Sequence, residues 1–315
     1  MRPWIQIVSH GPHCLDGVTA AVAVARYHAD RADVVARFAS NSEIDAVLRE
    51  IQPEPGRDME LWITDISWRD ADTDAHLRRL AAAGVRVYWI DHHRTALERV
   101  RTGRIDVPFT DKVLSEEFAA SRLVYEYLAR RLAGEGRQVP AFTAFAPVVA
   151  MADDNDRWLH RVPGSRELAW VVGALGPDAY DEFLTLDARV TDTPRMAVAR
   201  ARVGAEIARS FAVASQSRVE RCVGGVRLVV AVCDGHPSEI ADAWGKESPG
   251  TVFALYDATS LAVSLRRSPD CTVDLSRLAE ALGGGGHAAA AGCEIPELRR
   301  AVAELVADRV GKHLG

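Results

Sequence analysis

Apolar and polar positions follow two different periods along the first 130 residues of the chain. Apolar runs of strand length lie at 4–9, 33–38, 60–66 and 85–90, and stretches with helical spacing lie between them at 18–27, 42–51 and 70–83. Strands separated by helices of this length are typical of βαβ units and a mostly parallel sheet. The pattern therefore predicts an α/β fold whose N-terminal part is a doubly wound sheet with helices on both faces.

The pattern changes beyond residue 115, where helical spacing prevails. Helices are predicted over 116–133, 141–152 and 165–215, with a break near Gly176 and Pro177. Strands return at 225–233 and 251–256, the second paired with 260–266 as a hairpin, and helices are expected at 238–244, 275–282 and 297–312. We therefore expect two domains. The larger covers 1–195, a helical linker covers 196–220, and a smaller α/β domain with a mixed sheet covers 221–315.

The composition is that of an ordinary soluble globular protein, with 48% hydrophobic and 26% charged residues. Apolar runs are too short to cross a bilayer and the N-terminus lacks a secretory segment, so we expect a cytoplasmic protein without a membrane partner. The formal net charge of −6 disfavours binding of long duplex nucleic acid but allows a small anionic ligand in a local positive pocket. Five scattered cysteines without a C-x-x-C pair disfavour a disulfide framework and a thiolate zinc knuckle.

Imidazoles and carboxylates follow three of the predicted strands. They are His10, Cys14 and Asp16 after the first, Asp65 after the second, Asp91, His92 and His93 after the third, and Asp153, Asp154 and Asp156 at a helix end. The carboxyl ends of parallel strands meet at one edge of a sheet, where α/β proteins bind ligands. Each group alone is also explained by helix capping or by an ordinary loop. Together they favour a site for Mn²⁺ or a similar ion, and two ions sharing a carboxylate would suit phosphoryl displacement.

At these residues the sequence resembles the DHH superfamily of phosphoesterases, and most closely its nanoRNases and phosphoadenosine-phosphate phosphatases. His10 and Asp16 match the first motif, with Gly17 following; Asp65 matches the second, and Asp91-His92-His93 is the third. Asp153 and Asp154 compete for the fourth. The resemblance implies two divalent metal ions, most simply Mn²⁺, with a ligand set made of His10, Cys14, Asp16, Asp65, His92 and Asp153 or Asp154. It further implies that Asp65 bridges the ions, Asp91 orients the neighbouring imidazole, and His93 contacts the substrate phosphate or the leaving oxygen.

The C-terminal half carries a second, independent resemblance. Gly283 to Gly286 and His287, followed by Ala290, Ala291 and Gly292, resemble the GGGH…AAG signature of the DHH-associated C-terminal domain. The strand that contains Arg266 resembles the one that supplies a substrate-binding arginine in that domain. The resemblance implies a catalytic metal-binding domain over 1–195 and a substrate-binding domain over 221–315, with the active site in the cleft between them. Its implied substrate-binding residues are Arg266, Gly284, Gly285, Gly286 and His287.

The chain departs from the family at Cys14, where the first motif has an aspartate. Cys14 as a thiolate ligand would draw this position towards Zn²⁺ or Fe²⁺. Two alternatives stay open: weak metal binding with His13 or a water in its place, and a degenerate, slow or inactive site. Asp156 lies in a D-x-D-x-W stretch and is open between a supporting group and a helix cap. The tryptophans at 62, 68 and 89 are interpreted as core or interface aromatics rather than base-stacking surfaces.

The expected function is hydrolysis of a short nucleotide phosphoester, such as a dinucleotide, nanoRNA or adenosine bisphosphate, by in-line attack of a metal-bound hydroxide. A small nucleotide or short oligonucleotide is thus the expected partner, and a homodimer is compatible with the sequence. A single-strand-specific exonuclease is less favoured, because the chain is acidic and carries no added nucleic-acid module. A pyrophosphatase is disfavoured by the glycine-histidine signature. The alternative from another class is a non-catalytic nucleotide sensor with a degenerate metal site.

Overall fold

A computed structural model of the protein describes residues 1–314, apart from the side chain of Arg299. The chain divides into two compact units, Met1–Ala201 and a second that begins at Arg202. Among the described residues, no helix combines the length and apolar character needed to cross a bilayer.

The first unit is built on a sheet whose order is β2-β1-β3-β4-β5, with all four neighbouring pairs parallel. The strands of residues 1–201 are β1 (Trp4–His10), β2 (Asp33–Ala39), β3 (Met59–Thr64), β4 (Arg86–Asp91) and β5 (Asp111–Leu114). The strand order reverses between β1 and β3, and ligands of doubly wound sheets bind beyond the carboxyl ends of the strands at such a point. The predicted parallel sheet is confirmed, with β5 added at its edge.

Helices cover both faces of this sheet, as predicted. They are α1 (Leu15–His28), α2 (Ile44–Arg49), α3 (Ala71–Ala82), α4 (Arg94–Arg101), α5 (Ala120–Glu135), α6 (Pro140–Thr143), α7 (Ala146–Asp156), α8 (Ser165–Leu175), α9 (Ala179–Thr185) and α10 (Pro194–Ser217), the last of which contains the division between the units. Alternate strand residues supply the two cores: Ile5 and Ile7 pack with α1, α5 and α7, whereas Val8 packs with α2 and α3. The fully buried α1 lies at the centre of the first of these cores.

The helix predicted over 141–152 is two helices in the structure. Pro147 lies in the first turn of α7, where the backbone N–H groups have no partner within the helix. A new helix therefore begins there, because a proline inside a continuous helix would remove a hydrogen bond. Its end also moves, because α7 continues one turn further than expected and ends at Asp156. This extension changes which acidic side chain reaches the sheet edge.

The second unit contains a mixed sheet, as predicted. Its strands in the described part of the chain are β6 (Val219–Val223), β7 (Val226–Cys233), β8 (Thr251–Asp257), β9 (Ala262–Arg267), β10 (Gly285–His287) and β11 (Ala290–Cys293), in the order β10-β11-β9-β8-β7-β6. Only β7 and β8 pair in parallel, and β8 with β9 forms the expected antiparallel hairpin. The helices are α11 (Pro237–Glu247), α12 (Leu275–Ala281) and α13 (Pro296–Gly311). The glycine-histidine signature forms the β10–β11 hairpin.

Candidate metal centre

The ends of β1, β3 and β4 bring three motifs side by side. Ser9 pairs with Thr64, and Thr64 pairs with Ile90, so the residues that follow in each strand lie at the same edge. These next residues are His10, Asp65 and Asp91. The edge lies at the β1/β3 strand-order reversal, where the topology favours a ligand site.

Gly17 allows α1 to begin close to the end of β1. A Cβ atom at this position would lie 2.0 Å from the carbonyl oxygen of His10, a separation that no side chain tolerates. The glycine that follows the first motif is therefore required by packing. The close approach places Cys14 and Asp16, on either side of the helix start, beside Asp65.

The Asp65 carboxylate lies between two sets of possible metal ligands. Its Oδ2 atom lies 3.6 Å from Nδ1 of His10 and accepts a hydrogen bond from the Cys14 thiol at 3.4 Å. Its Oδ1 atom lies 3.3 Å from Nε2 of His92 and 4.0 Å from Nδ1 of His93. Burial would raise the pKa of Asp65, but hydrogen bonds from His10 and His92 outweigh it and hold the pKa well below its usual range. This carboxylate is thus an ionised group shared by both sets.

Asp65 adopts an unusual backbone conformation, with φ at 59°. Aspartate is one of the few residues other than glycine that visits this region, because its short side chain bonds locally. The Asp65 N–H donates to the carbonyl oxygen of Ile90 at 3.0 Å, which ties the turn after β3 to the end of β4. The strained turn directs the carboxylate to the centre of the cluster.

A further group of possible metal ligands consists of Asp16, His92 and Asp156. Nε2 of His92 lies 3.8 Å from Oδ2 of Asp16 and 3.6 Å from Oδ2 of Asp156. Burial, followed by the charges of Asp65 and Asp156, raises the pKa of Asp16 well above its ordinary value. Burial alone would lower the pKa of His92, but the surrounding carboxylates raise it to about 9. Two buried carboxylates, Asp16 and Asp65, and the more exposed Asp156 crowd around His92, so this site is short of positive charge.

Asp16 is fixed by the start of α5. Its two carboxylate oxygens accept hydrogen bonds from the backbone N–H groups of Ala120 at 2.8 Å and Ser121 at 2.9 Å. These N–H groups belong to the first turn of the helix and have no partner within it. Asp16 therefore satisfies the helix start, and it faces His92 from there.

Asp91 organises the triplet that follows β4. Its Oδ1 atom accepts the N–H groups of His92 at 2.8 Å and His93 at 3.2 Å, and it lies 2.7 Å from Nδ1 of His93. This hydrogen bond raises the pKa of His93. The other oxygen, Oδ2, is buried without a hydrogen-bond partner among the described residues. The contact expected between Asp91 and a neighbouring imidazole is thus made to His93.

Asp153 and Asp154, the two carboxylates favoured by the sequence for the fourth motif, are engaged outside these sets. Asp153 accepts the N–H of Ala119 at 2.9 Å and a guanidinium hydrogen bond from Arg122 at 3.2 Å. Asp154 accepts the N–H of Arg161 at 2.7 Å and the hydroxyl of Ser165 at 2.6 Å. A helix that ended at 152, as expected, would have placed Asp153 and Asp154 directly after its end. Instead α7 ends at Asp156, and the carboxylate of Asp156 lies 3.6 Å from His92. In this geometry Asp156, rather than either of these two residues, has a carboxylate oxygen beside His92.

The donor types fit divalent first-row metal ions. Among residues 1–314, three groups have ligand atoms within 4.8 Å of one another: His10, Cys14 and Asp65; Asp65, His92 and His93; and Asp16, His92 and Asp156. Imidazole nitrogens and carboxylate oxygens suit Mn²⁺, and a thiolate suits softer ions such as Zn²⁺ or Fe²⁺. Burial, followed by the charges of Asp65 and Asp16, raises the pKa of the Cys14 thiol, so this ligand needs a cation to ionise.

The second unit has its own pocket, of about 420 Å³, along β9 and the β10–β11 hairpin. Arg266 lines it and donates hydrogen bonds to the carbonyl oxygen of Leu265 at 2.9 Å and to the hydroxyl of Ser238 at 3.0 Å. Burial lowers the pKa of this guanidinium. Gly285 also lines the pocket, and His287 is exposed at the end of β10.

Glycine occupies the positions of this hairpin for different structural reasons. A Cβ atom would lie 2.1 Å from the carbonyl oxygen of Gly292 at Gly284, and 2.5 Å from the Cα atom of Ala291 at Gly286. Close packing of the hairpin therefore requires both, whether or not a ligand is present. At Gly285, as at Gly283, no described atom lies within 4 Å of such a Cβ, so the space there is open.

Comparisons with known proteins agree with both halves of this description. A model of the DHHA1 domain matches residues 225–311. The oligoribonuclease NrnB of Bacillus subtilis (strain 168) is 28% identical over 286 residues, which cover 84% of this chain and 67% of that protein. The pGpG-specific phosphodiesterase PggH from Vibrio cholerae has 15% identity and a TM-score of 0.58, and the match covers 98% of each chain. That structure shares the two-unit fold.

Proposed function

We propose that this chain is a metal-dependent phosphodiesterase of the DHH superfamily that hydrolyses short oligoribonucleotides. The relative named oligoribonuclease and the structural neighbour named pGpG-specific phosphodiesterase support this substrate class. The observation that carries the proposal is the Asp65 carboxylate, whose two oxygens face separate sets of metal-ligating side chains. A carboxylate shared in this way is what a dinuclear centre requires.

We assign one ion to His10, Cys14 and Asp65. We assign the other to His92 and the three carboxylates around its Nε2 atom, those of Asp16, Asp65 and Asp156. We propose Mn²⁺ at the second position, since its ligands are carboxylates and an imidazole, and Zn²⁺ or Fe²⁺ at the first, where Cys14 contributes sulfur. When bound, two such ions supply positive charge to the phosphoryl oxygens and to the entering and leaving groups.

His93 is placed to transfer a proton. Its Nδ1 atom is held by Asp91 at 2.7 Å, and 47% of its side chain is exposed. With Nδ1 bound to a carboxylate, Nε2 is directed away from Asp91 and is free to approach a substrate oxygen. We propose that Nε2 donates a hydrogen bond to the phosphate and a proton to the leaving ribose oxygen. Asp91 favours the protonated imidazole that this role requires.

Substrate binding in the second unit is proposed for Arg266, Gly284, Gly285, Gly286 and His287. Arg266 is held by Ser238 at the wall of the pocket, and a guanidinium suits a phosphate oxygen. Gly285 would let the substrate approach the backbone, because it lines the pocket and no described atom lies within 4 Å of a Cβ atom built there. Gly284 and Gly286 would shape the hairpin that presents it.

Metal-dependent hydrolysis of a 5′-phosphorylated diribonucleotide tests the function. Chelated protein should be inactive and should regain release of mononucleotides when Mn²⁺ is added, with two metal ions per chain by elemental analysis. Asp65→Asn should lose both metals and the activity, whereas Asp72→Asn, at an exposed aspartate in the first turn of α3, should lose neither. Nucleotide binding without metal and without turnover would instead identify a sensor.

Substrate length and type are resolved in the same assay. Faster turnover of a longer single strand than of the dinucleotide would favour an exonuclease, and preference for adenosine bisphosphate would favour a phosphatase. A homodimer and a cytoplasmic location remain predictions; sedimentation of the purified protein and fractionation of cells check them.

A further inference from the structure

The end of α7 has an unexpected residue in its terminating turn. The N–H of Trp158 donates to the carbonyl oxygen of Asn155 at 3.0 Å, and the N–H of Leu159 donates to that of Asp154 at 2.9 Å. These two bonds form the Schellman motif that ends many helices, and its central position has left-handed backbone and is usually glycine. Trp158 occupies that position with φ at 55°. A bulky residue in this conformation is a true outlier, so the backbone alone does not explain the tryptophan.

The indole is also unusually exposed for its size. Half of Trp158 is exposed, at 50%, whereas Trp62, Trp68 and Trp89 are fully buried. Two polar neighbours hold it: the ring of His160 lies 4.6 Å away at an interplanar angle of 77°, and the guanidinium carbon of Arg166 lies 5.1 Å from the ring centroid. The indole therefore has defined contacts without being part of a core.

The loop that carries Trp158 is braced by Asp154. This carboxylate accepts the N–H of Arg161 and the hydroxyl of Ser165, across the turn from α7 to α8. His160 also has positive φ, at 53°. Strained residues persist only where the surrounding structure fixes them, and they cluster at binding sites. The braced loop gives the exposed indole a fixed position.

That position is beside the candidate metal centre. Trp158 follows Asp156 by two residues, and Asp156 lies 3.6 Å from His92. Two residues of chain span at most about 7 Å between Cα atoms. The backbone of Trp158 is therefore within about 7 Å of that of a candidate metal ligand.

We propose that Trp158 is a stacking surface for a nucleobase of the substrate, with the Arg166 guanidinium against the ring adding positive charge for a neighbouring phosphate. The inference rests on the proposed function, because it presumes that the substrate is a nucleotide. A short oligoribonucleotide offers few phosphates for charge contacts, and stacking on an aromatic ring accepts any base. Trp158 would therefore contribute affinity for the base without selecting its identity.

Equilibrium binding with matched ligands tests the proposal. A 5′-phosphorylated diribonucleotide is compared with its abasic analogue, which keeps the sugars and phosphates, in Ca²⁺ so that binding is measured apart from turnover. Trp158→Ala should weaken binding of the dinucleotide by about 5- to 150-fold and leave the abasic analogue unchanged, whereas Trp158→Phe should retain most of the affinity. The intrinsic fluorescence of the wild type should also change on binding, and that change should disappear in Trp158→Phe.

Equal weakening of both ligands by Trp158→Ala would show a structural role and overturn the proposal, as would unchanged dinucleotide affinity or no binding by the wild type. Val198→Ala, which trims another exposed apolar side chain, is the control and should change neither affinity. The outcome is separate from that of the proposed function. Wild-type protein that binds the base through Trp158 but never cleaves a dinucleotide would refute only the enzyme, and cleavage with base-independent affinity would refute only the stacking.

Discussion

The stability of Trp158 variants provides a test of the backbone conformation at the end of α7. An L-residue with left-handed backbone costs about 1–2 kcal/mol relative to its ordinary conformations, a cost that glycine escapes. The unfolded chain of the glycine variant is more flexible than that of the alanine variant. This difference reduces the stability advantage of glycine by about 0.4–1 kcal/mol. Trp158→Gly should therefore be more stable than Trp158→Ala by about 0.5–1 kcal/mol, with the side-chain contacts removed equally in both.

Both variants should be less stable than the wild type. The buried half of the indole contributes about 100 Å² of apolar area, or about 2–3 kcal/mol, and the contact with Arg166 adds about 0.5–1 kcal/mol. Urea unfolding of the metal-free protein measures these differences, and the midpoint of thermal unfolding should be about 2 °C higher for the glycine variant than for the alanine variant.

Arg157 provides the matched control, because it precedes Trp158 and has a negative φ, at −80°, which L-residues adopt readily. There the order should reverse, and Arg157→Ala should be more stable than Arg157→Gly by about 0.4–1 kcal/mol. An alanine variant of Trp158 as stable as its glycine variant would refute the left-handed conformation, and with it the claim that the tryptophan is held there against backbone preference.

Three further predictions concern the two sites. Asp156→Asn should remove one metal ion and Asp65→Asn both, as counted by elemental analysis, and loss of equal amounts from the two variants would contradict the shared carboxylate. Because burial and nearby carboxylates raise the pKa of the Cys14 thiol, its ligation must release a proton, so zinc affinity at the first position should rise with pH. Cys14→Asp should flatten this dependence in the neutral range and shift preference towards Mn²⁺; an unchanged slope in metal titrations would show that the thiol is not a ligand. Gly284→Ala should destabilise the second unit by more than about 2 kcal/mol in urea unfolding, since its Cβ meets backbone at 2.1 Å, whereas Gly285→Ala should fold normally and weaken nucleotide binding; the reverse order would refute the packing argument.

Hydrophobic periodicity predicts the strands and helices whose burial is strong. β1, β3 and β4 are mostly apolar because helices cover both of their faces. The periodicity fails for β5 and β6, whose residues are largely exposed and therefore carry no apolar pattern. It also fails for the β10–β11 hairpin, since glycine and alanine have little preference for strands and the pairing is set by close packing.

The candidate site is predictable from sequence only as far as motif spacing fixes positions relative to a strand end. His10, Asp65 and His92 satisfy that condition because neighbouring strands end in register. The fourth carboxylate does not, since its position depends on where α7 stops. Three acidic residues stand within four positions, so the motif spacing does not choose between them, and the first two accept hydrogen bonds from Ala119 and Ser165. The spacing of a helix that continues one turn past 152 is the signal that could have selected Asp156.

The features that oppose folding lie together at this sheet edge. Asp65 and Trp158 have left-handed backbone, and the carboxylates of Asp16 and Asp156 are crowded against Asp65. Because the pKa of Asp16 is raised in the folded state, the contribution of this one carboxyl group to the metal-free fold is complete below the ordinary aspartate pKa of about 4 and is lost as the pH rises through its raised folded pKa. Bound divalent cations favour the ionised carboxylates and therefore reverse this pH dependence of stability. The binding energy of the cations would stabilise the fold most at neutral pH. Crowded carboxylates of this kind do not help a sheet edge to fold, whereas a metal-dependent site needs them close together to bind cations.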